Sequence, residues 1–235
     1  MRKAVFFDLD GTLLPLDMKE FMALYYEAIE ESGFYGRISK QNGREIFNAA
    51  VYAMLKNDGR TSNRDVFYGA IESMAGVTSD ELIPHMEGFY NNQFRRLKAC
   101  ARPDKNVPLV IDEIKAKGFR LIIATNPLFP KTATDQRIEW AGLDPADFEY
   151  VSYYHNSSWC KPNHGFYREI LSKLSLSASE CYIVGNDVTE DMGAVELGFK
   201  GFLLLDNIIG DIERAPVCER GGYSQLLDFA RSLRI

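Results

Sequence analysis

Residues 4–7, Ala-Val-Phe-Phe, form an unbroken apolar run that stops at Asp8, and apolar runs return at 119–124, where only Arg120 interrupts, and at 181–184 and 201–205. A strand half open to water alternates apolar and polar residues, so runs without alternation point to strands covered on both faces. Helical signals separate the later runs. Pro108 opens a helix that Gly118 closes, a second spans roughly 130 to 141 and ends at Gly142, and a third follows Pro162. Another closes at Gly198, and a last one runs near 223 to 233, while the stretch near 148–153 supplies one more strand. Strands alternating with helices predict an α/β fold, a three-layer, Rossmann-like core around a parallel sheet.

One long interruption breaks this alternation. From Asp17 to Ala99 the apolar residues recur at helical spacing, as in Phe21, Tyr25 and Ile29 or Ile46, Phe47, Ala50, Val51 and Met54. Gly33, Asn57-Asp58-Gly59, and Gly76 followed by the capping-box pattern Thr78-x-x-Glu81 divide the segment into four helices. The expected organisation is therefore a core of residues 1–16 and 100–235 with an all-helical cap, 17–99, inserted after the first strand. Tyr25, Tyr26, Phe47 and Tyr52 read as cap core rather than as a platform for stacking bases.

Lys and Arg number 27 against 33 Asp and Glu, a net charge of −6, which does not advertise a surface for nucleic acid or an anionic membrane. No apolar run approaches the roughly 18 residues of a membrane span, and the first run meets Asp8 before a signal-peptide core is formed. The four cysteines, Cys100, Cys160, Cys181 and Cys218, contain no CxxC pair, and the three histidines lack metal-site spacing. A cytoplasmic chain with reduced thiols is expected; the oligomeric state is not legible.

In parallel sheets ligands sit outside the carboxyl ends of the strands. The polar residues delivered there are Asp8 and Asp10 after the first strand, Thr125-Asn126 after the second, and Asn186-Asp187 with Asp191 after the fourth. Lys161-Pro162 lies in the loop before that strand. Carboxylates converging at one point repel one another unless a cation joins them, and hard oxygen ligands select Mg²⁺.

Asp8-Leu9-Asp10-Gly11-Thr12, Thr125-Asn126, Lys161-Pro162 and Gly185-Asn186-Asp187-Val188-Thr189-Glu190-Asp191 resemble, in order, the four motifs of the haloacid dehalogenase superfamily. The resemblance covers about 1–14 and 107–205; the insert is similar to that family's helical cap by position and helicity. It implies a phosphatase in which Asp8 attacks phosphorus to form an aspartyl-phosphate, and Asp10 protonates the leaving oxygen and then deprotonates water. It further implies Mg²⁺ held by the Asp8 carboxylate, the Asp10 carbonyl and an acid of the fourth motif, with Thr125, Asn126 and Lys161 binding the transferring group. The fourth motif departs from the family's usual Gly-Asp, because Asn186 stands between Gly185 and Asp187. Asp187 is the preferred metal ligand, Asn186 a neutral alternative, and Asp191 would orient Lys161 or a metal-bound water.

A small phosphorylated metabolite is the expected partner, with Arg37, Lys40 and Arg44 on a cap loop as candidate contacts to its leaving group. Dehalogenation is disfavoured, since the dehalogenases of the family lack the second aspartate. Phosphomutase chemistry, phosphonate cleavage through Lys19, Lys40 or Lys56, and phospho-ligand binding without turnover are the alternatives.

Overall fold

The computed structural model describes residues 3–234. Six parallel strands, β1 (Ala4–Phe7), β2 (Arg120–Ile123), β3 (Tyr150–Val151), β4 (Cys181–Gly185), β5 (Lys200–Leu204) and β6 (Glu219–Gly221), form one sheet in the order β3-β2-β1-β4-β5-β6. The first strand thus lies inside the sheet, buried on both faces as its unbroken apolar run requires. From β1 the chain builds outward first through β2 and β3, then on the other side through β4, β5 and β6. The reversal places a crevice at the carboxyl ends of β1 and β4.

Nine α-helices accompany the sheet among the described residues: α1 (Met18–Glu31), α2 (Phe34–Ile38), α3 (Gly43–Leu55), α4 (Asn63–Ala75), α5 (Ser79–Asn91), α6 (Asn106–Ala116), α7 (Lys131–Trp140), α8 (His164–Leu174) and α9 (Tyr223–Ser232). Side chains of β1 alternate between the two faces. Val5 and Phe7 join a core with α6, α7 and α9, whereas Ala4 and Phe6 pack with Phe166, Tyr167 and Ile170 of α8. This is the three-layer α/β architecture expected from the sequence.

The first five helices and a 3₁₀ segment, Gln93–Cys100, intervene between β1 and β2. Their entry and exit run side by side, since Leu16 bridges Ala101 and the Arg102 N–H donates to the Pro15 carbonyl at 2.8 Å. Thr78 and Glu81 form the capping box at the start of α5. The short α2 had no counterpart in the four expected helices. Phe94 stacks on Trp140 of α7 at 5.5 Å between ring centroids, so the helical segment and one face of the sheet share a continuous apolar core.

Two expectations change and one strand is additional. The segment closing at Gly198 is a 3₁₀ turn, Met192–Leu197, rather than an α-helix. Strand β6 has no apolar run, and its polar Glu219-Arg220 is tolerated because an edge strand needs less burial. Tyr52 is not cap core: it is 61% exposed, with the Lys56 ammonium 5.5 Å above its ring. All four cysteines are free, three of them buried, and no helix among the described residues is long and apolar enough to cross a membrane.

Candidate active site

The strand ends deliver a buried charge cluster to the crevice. Lys161, 2% exposed, donates to Asp8 Oδ1 at 2.8 Å and to Asp191 Oδ1 at 2.6 Å. Burial alone would push this ammonium down, but Asp191 and Asp8 outweigh it and hold it well above its ordinary range, so it stays protonated. Asp191 Oδ2 accepts the backbone N–H groups of Asn186 and Asp187, both at 3.0 Å. Both oxygens of Asp191 are thereby engaged, one by Lys161 and one by the loop after β4.

Tight backbone geometry makes these contacts possible. Gly11 adopts φ +86°, and a Cβ there would lie 2.5 Å from the Asn186 amide nitrogen. A Cβ on Gly185 would sit 2.3 Å from the Asp191 carboxyl carbon, so only glycine lets that carboxylate tuck beneath the end of β4. Asn186 is itself occupied: its Oδ1 lies 2.8 Å from the Thr12 hydroxyl, and its Nδ2 donates to the Asn207 carbonyl at 2.6 Å. The Thr12 hydroxyl is also 3.2 Å from Asp8 Oδ2 and can donate to one of these acceptors at a time.

Asp187 is placed differently. Its Oδ1 accepts the N–H groups of Thr189 and Glu190 at 2.7 and 2.8 Å, which pins the carboxylate at the cavity edge, while Oδ2 makes no hydrogen bond among the described residues. Thr125 is buried at the end of β2, with its carbonyl accepting from the Ser152 hydroxyl at 2.6 Å. Asn126 donates to Glu190 Oε2 at 3.2 Å, and its own Oδ1 is buried without a hydrogen-bond partner.

Asp10 meets a residue that the sequence reading missed. Arg137 of α7, 1% exposed, donates through NH1 to Asp10 Oδ2. The guanidinium is anchored by Thr134 Oγ1 at 3.2 Å and covers the Phe129 ring at 4.4 Å, while Asp10 Oδ1 is buried with no partner. Burial raises the Asp10 carboxyl above the usual range against the opposing pull of Arg137, with the nearby Asp8 charge adding to the rise. Arg137 follows Ala133 by four residues on the buried stripe of α7. The helix also buries Thr134 and Gln136, so no apolar stripe in the sequence singles this position out. Glu190 was likewise passed over; burial raises its carboxyl too.

A cavity of about 200 Å³ opens above the cluster, and Asp8, Asp10, Thr125, Asn126, Asn186, Asp187, Glu190 and Asp191 all line it. Lys161 lies beneath it. The structure does not bring Arg37, Lys40 or Arg44 there. Arg37 lies within α2 and Arg44 at the start of α3, not on a loop, because these amphipathic helices turn their apolar faces inward and their charges to water. Arg44 instead covers Tyr26 at 5.2 Å.

Five carboxylates, Asp8, Asp10, Asp187, Glu190 and Asp191, face two buried cations, Lys161 and Arg137. That excess of hard oxygen donors, with the Asp187 Oδ2 and Asp10 Oδ1 atoms uncommitted, suits a divalent cation. Among the described residues no three acidic, His or Cys side chains already form a metal cluster. A ligand set of two carboxylates and one main-chain carbonyl does not require one.

Comparison with known proteins gives a consistent outcome. The family model for haloacid dehalogenase-like hydrolases matches residues 2–197. The chain is 26% identical over 243 residues to a glyceraldehyde 3-phosphate phosphatase of Methanothermobacter thermautotrophicus, covering 100% of this chain and 99% of that protein. A sesquiterpene phosphatase of Aspergillus oryzae is 26% identical over 117 residues, 49% of this chain and 57% of that protein. The crystal structure of a HAD phosphatase from Thermococcus onnurineus superposes with a TM-score of 0.62 at 18% identity, covering 99% of this chain and 100% of that one, a likeness of fold.

Proposed function

Because the chain belongs to the haloacid dehalogenase-like hydrolases, we propose that it hydrolyses a small-molecule phosphomonoester with Mg²⁺, through an aspartyl-phosphate on Asp8. The observation that carries this reading is the Asp8–Lys161–Asp191 bridge at the switch point of the sheet, with Asp10 beside it at the same cavity. Two matched proteins bear phosphatase names, one for a triose phosphate and one for a sesquiterpene phosphate, which supports the same reaction class.

In this reading Asp8 is held by Lys161 through Oδ1, which leaves Oδ2 to attack phosphorus once Thr12 donates to Asn186 instead. Lys161 offsets the charge of the incoming phosphoryl group, and Thr125 and Asn126 lie where they can donate to its oxygens. Asp10, with Oδ2 fixed by Arg137 and Oδ1 free, gives its proton to the departing alkoxide and afterwards takes one from water. Burial raises its pKa and so favours the protonated form required for the first of these steps. The Asp8 carboxylate, the Asp10 carbonyl and the Asp187 carboxylate would hold Mg²⁺, which supplies charge neutralisation between two anions that must meet. Asn186 is the poorer ligand because its amide is already bonded to Thr12 and Asn207. Residues 17–99 would act as the cap over a core of 1–16 and 100–235, excluding water from the reacting groups.

Phosphonate cleavage gains no support, since Lys19, Lys40 and Lys56 are all exposed and none lines the cavity. Turnover of p-nitrophenyl phosphate with Mg²⁺ should fall at least about 100-fold in EDTA and return when Mg²⁺ is restored in excess. Equal rates with and without chelator would overturn the metal-dependent mechanism, and isomerisation of a sugar phosphate outrunning phosphate release would replace hydrolysis with mutase activity.

A further inference from the structure

The same cavity has two unlike halves. Its floor is acidic and polar, whereas its walls are Met18, Phe21 and Met22 of α1, Leu128 and Phe129 of the loop after β2, and Ile209 beyond β5. Every group that can grip a phosphate lies on the floor, so the walls must receive whatever the phosphate is attached to.

From this division we infer that the substrate's leaving group is an uncharged alcohol that meets the protein through carbon, such as a short alkyl or isoprenoid alcohol. The inference rests on the phosphatase reading of the site and narrows its substrate class. Three observations carry it. First, among the described residues no Lys, Arg or His lines the cavity. The two cations next to it are spent, Lys161 on Asp8 and Asp191, and Arg137 on Asp10. A carboxylate or second phosphate on the leaving group would find no counter-ion and would face Asp10, Asp187 and Glu190.

Second, neutral donors are scarce. The side-chain amides of Asn126 and Asn186 each already give one N–H, to Glu190 and to the Asn207 carbonyl, so a leaving group bearing several hydroxyls finds few donors for its lone pairs. Third, the basic side chains of the helical segment that would mark a site for an anionic metabolite are turned away. Arg37, Lys40 and Arg44 are exposed, none reaches the cavity, and Arg44 lies 4.0 Å from Glu30. Apolar walls over a charged floor instead reward burial of each added methylene.

n-Propyl phosphate and phosphoglycolate form a nearly isosteric pair that differs by the charge of one carboxylate. The wild-type enzyme with Mg²⁺ should show kcat/KM at least about tenfold higher for n-propyl phosphate. Along ethyl, propyl, butyl and isopentenyl phosphates kcat/KM should rise about threefold to fourfold per methylene until the cavity is full. Met22→Lys places an ammonium on the wall without touching the floor, and should shift the propyl-to-glycolate ratio, read within the one variant, at least about tenfold toward phosphoglycolate. Preference of the wild type for phosphoglycolate, a bisphosphate or a polyol phosphate would overturn the inference, as would no gain with chain length or an unchanged ratio in the variant. If no ester at all is turned over, p-nitrophenyl phosphate included, the phosphatase reading itself fails and takes this inference with it.

Discussion

Asp8→Asn should lower kcat by about 10⁴-fold or more, to the limit set by contaminating activity, while the thermal midpoint stays level or rises. Both halves follow from the position of Asp8. As the proposed nucleophile it has no substitute, because the neighbouring carboxylates are each anchored through at least one oxygen: Asp191 by Lys161 and two backbone N–H groups, Asp187 by Thr189 and Glu190, and Asp10 by Arg137. An amide oxygen in place of Oδ1 still accepts from Lys161, so the contact at 2.8 Å survives in weaker form. Stability does not suffer, since the variant removes one negative charge from a cavity where five carboxylates face two cations. Crowded like charge is a cost the native fold bears for its chemistry, and relieving it stabilises the metal-free protein. Differential scanning calorimetry in EDTA, beside phosphate release in Mg²⁺, reads both. A variant that keeps more than about a hundredth of the activity would remove Asp8 as nucleophile; one that loses several degrees would show that Asp8 is needed for folding.

The same charge crowding explains which parts of the molecule the sequence disclosed. β1, β2, β4 and β5 were legible because each is buried on both faces and apolar beyond its first residue, Arg120 and Lys200 being the charged residues that open β2 and β5. The end of β1 was legible because Asp8 and Asp10 follow its apolar run at once, and the polar residues after β2 and β4 were legible because ligands sit at the carboxyl ends of parallel strands. β6 was not, since Glu219-Arg220-Gly221 pairs on one side only and obeys no such constraint. Arg137 escaped notice because a helix was expected to point its charges outward, and only the fold brings α7 against Asp10, 127 residues away. The apolar walls escaped for the opposite reason. Phe21 belongs to the cap core by spacing and burial, and nothing in a 3.6-residue period marks that it also borders a cavity. Arg37 and Arg44 show the converse, since positive charge near the expected cap looked functional until helix geometry assigned it to solvent. The Asn186–Asp187 ambiguity was beyond any reading of spacing, because the difference between them is one of hydrogen bonding: the amide is bonded at both ends, the carboxylate at one oxygen.

Lys161→Met should abolish turnover and also destabilise the fold by about 3–5 kcal/mol, the cost of removing one partner from a buried charge cluster. Asp191 bears most of this loss, because its side chain is 1% exposed and its remaining contacts are two N–H groups, whereas Asp8 still faces the cavity. The double variant Lys161→Met/Asp191→Asn should therefore regain much of the stability, since the uncompensated charge is gone, and none of the activity. The loss should also depend on pH in a defined direction. Burial already pushes the Asp191 carboxyl up from 3.8 to about 7, with Lys161 pulling against it and Asp8 adding to the rise. Without Lys161 the folded-state pKa rises further above the unfolded one. The folded state then binds the extra proton between those values, so stability is fully present at low pH and is lost as pH climbs through the folded pKa. Urea titrations of the metal-free variant should give a higher midpoint at pH 5.5 than at pH 8, by more than in the wild type. A single variant as stable as wild type, or a double variant no better than the single one, would mean that Asp191 tolerates burial without Lys161 and that the ammonium serves the phosphoryl group alone.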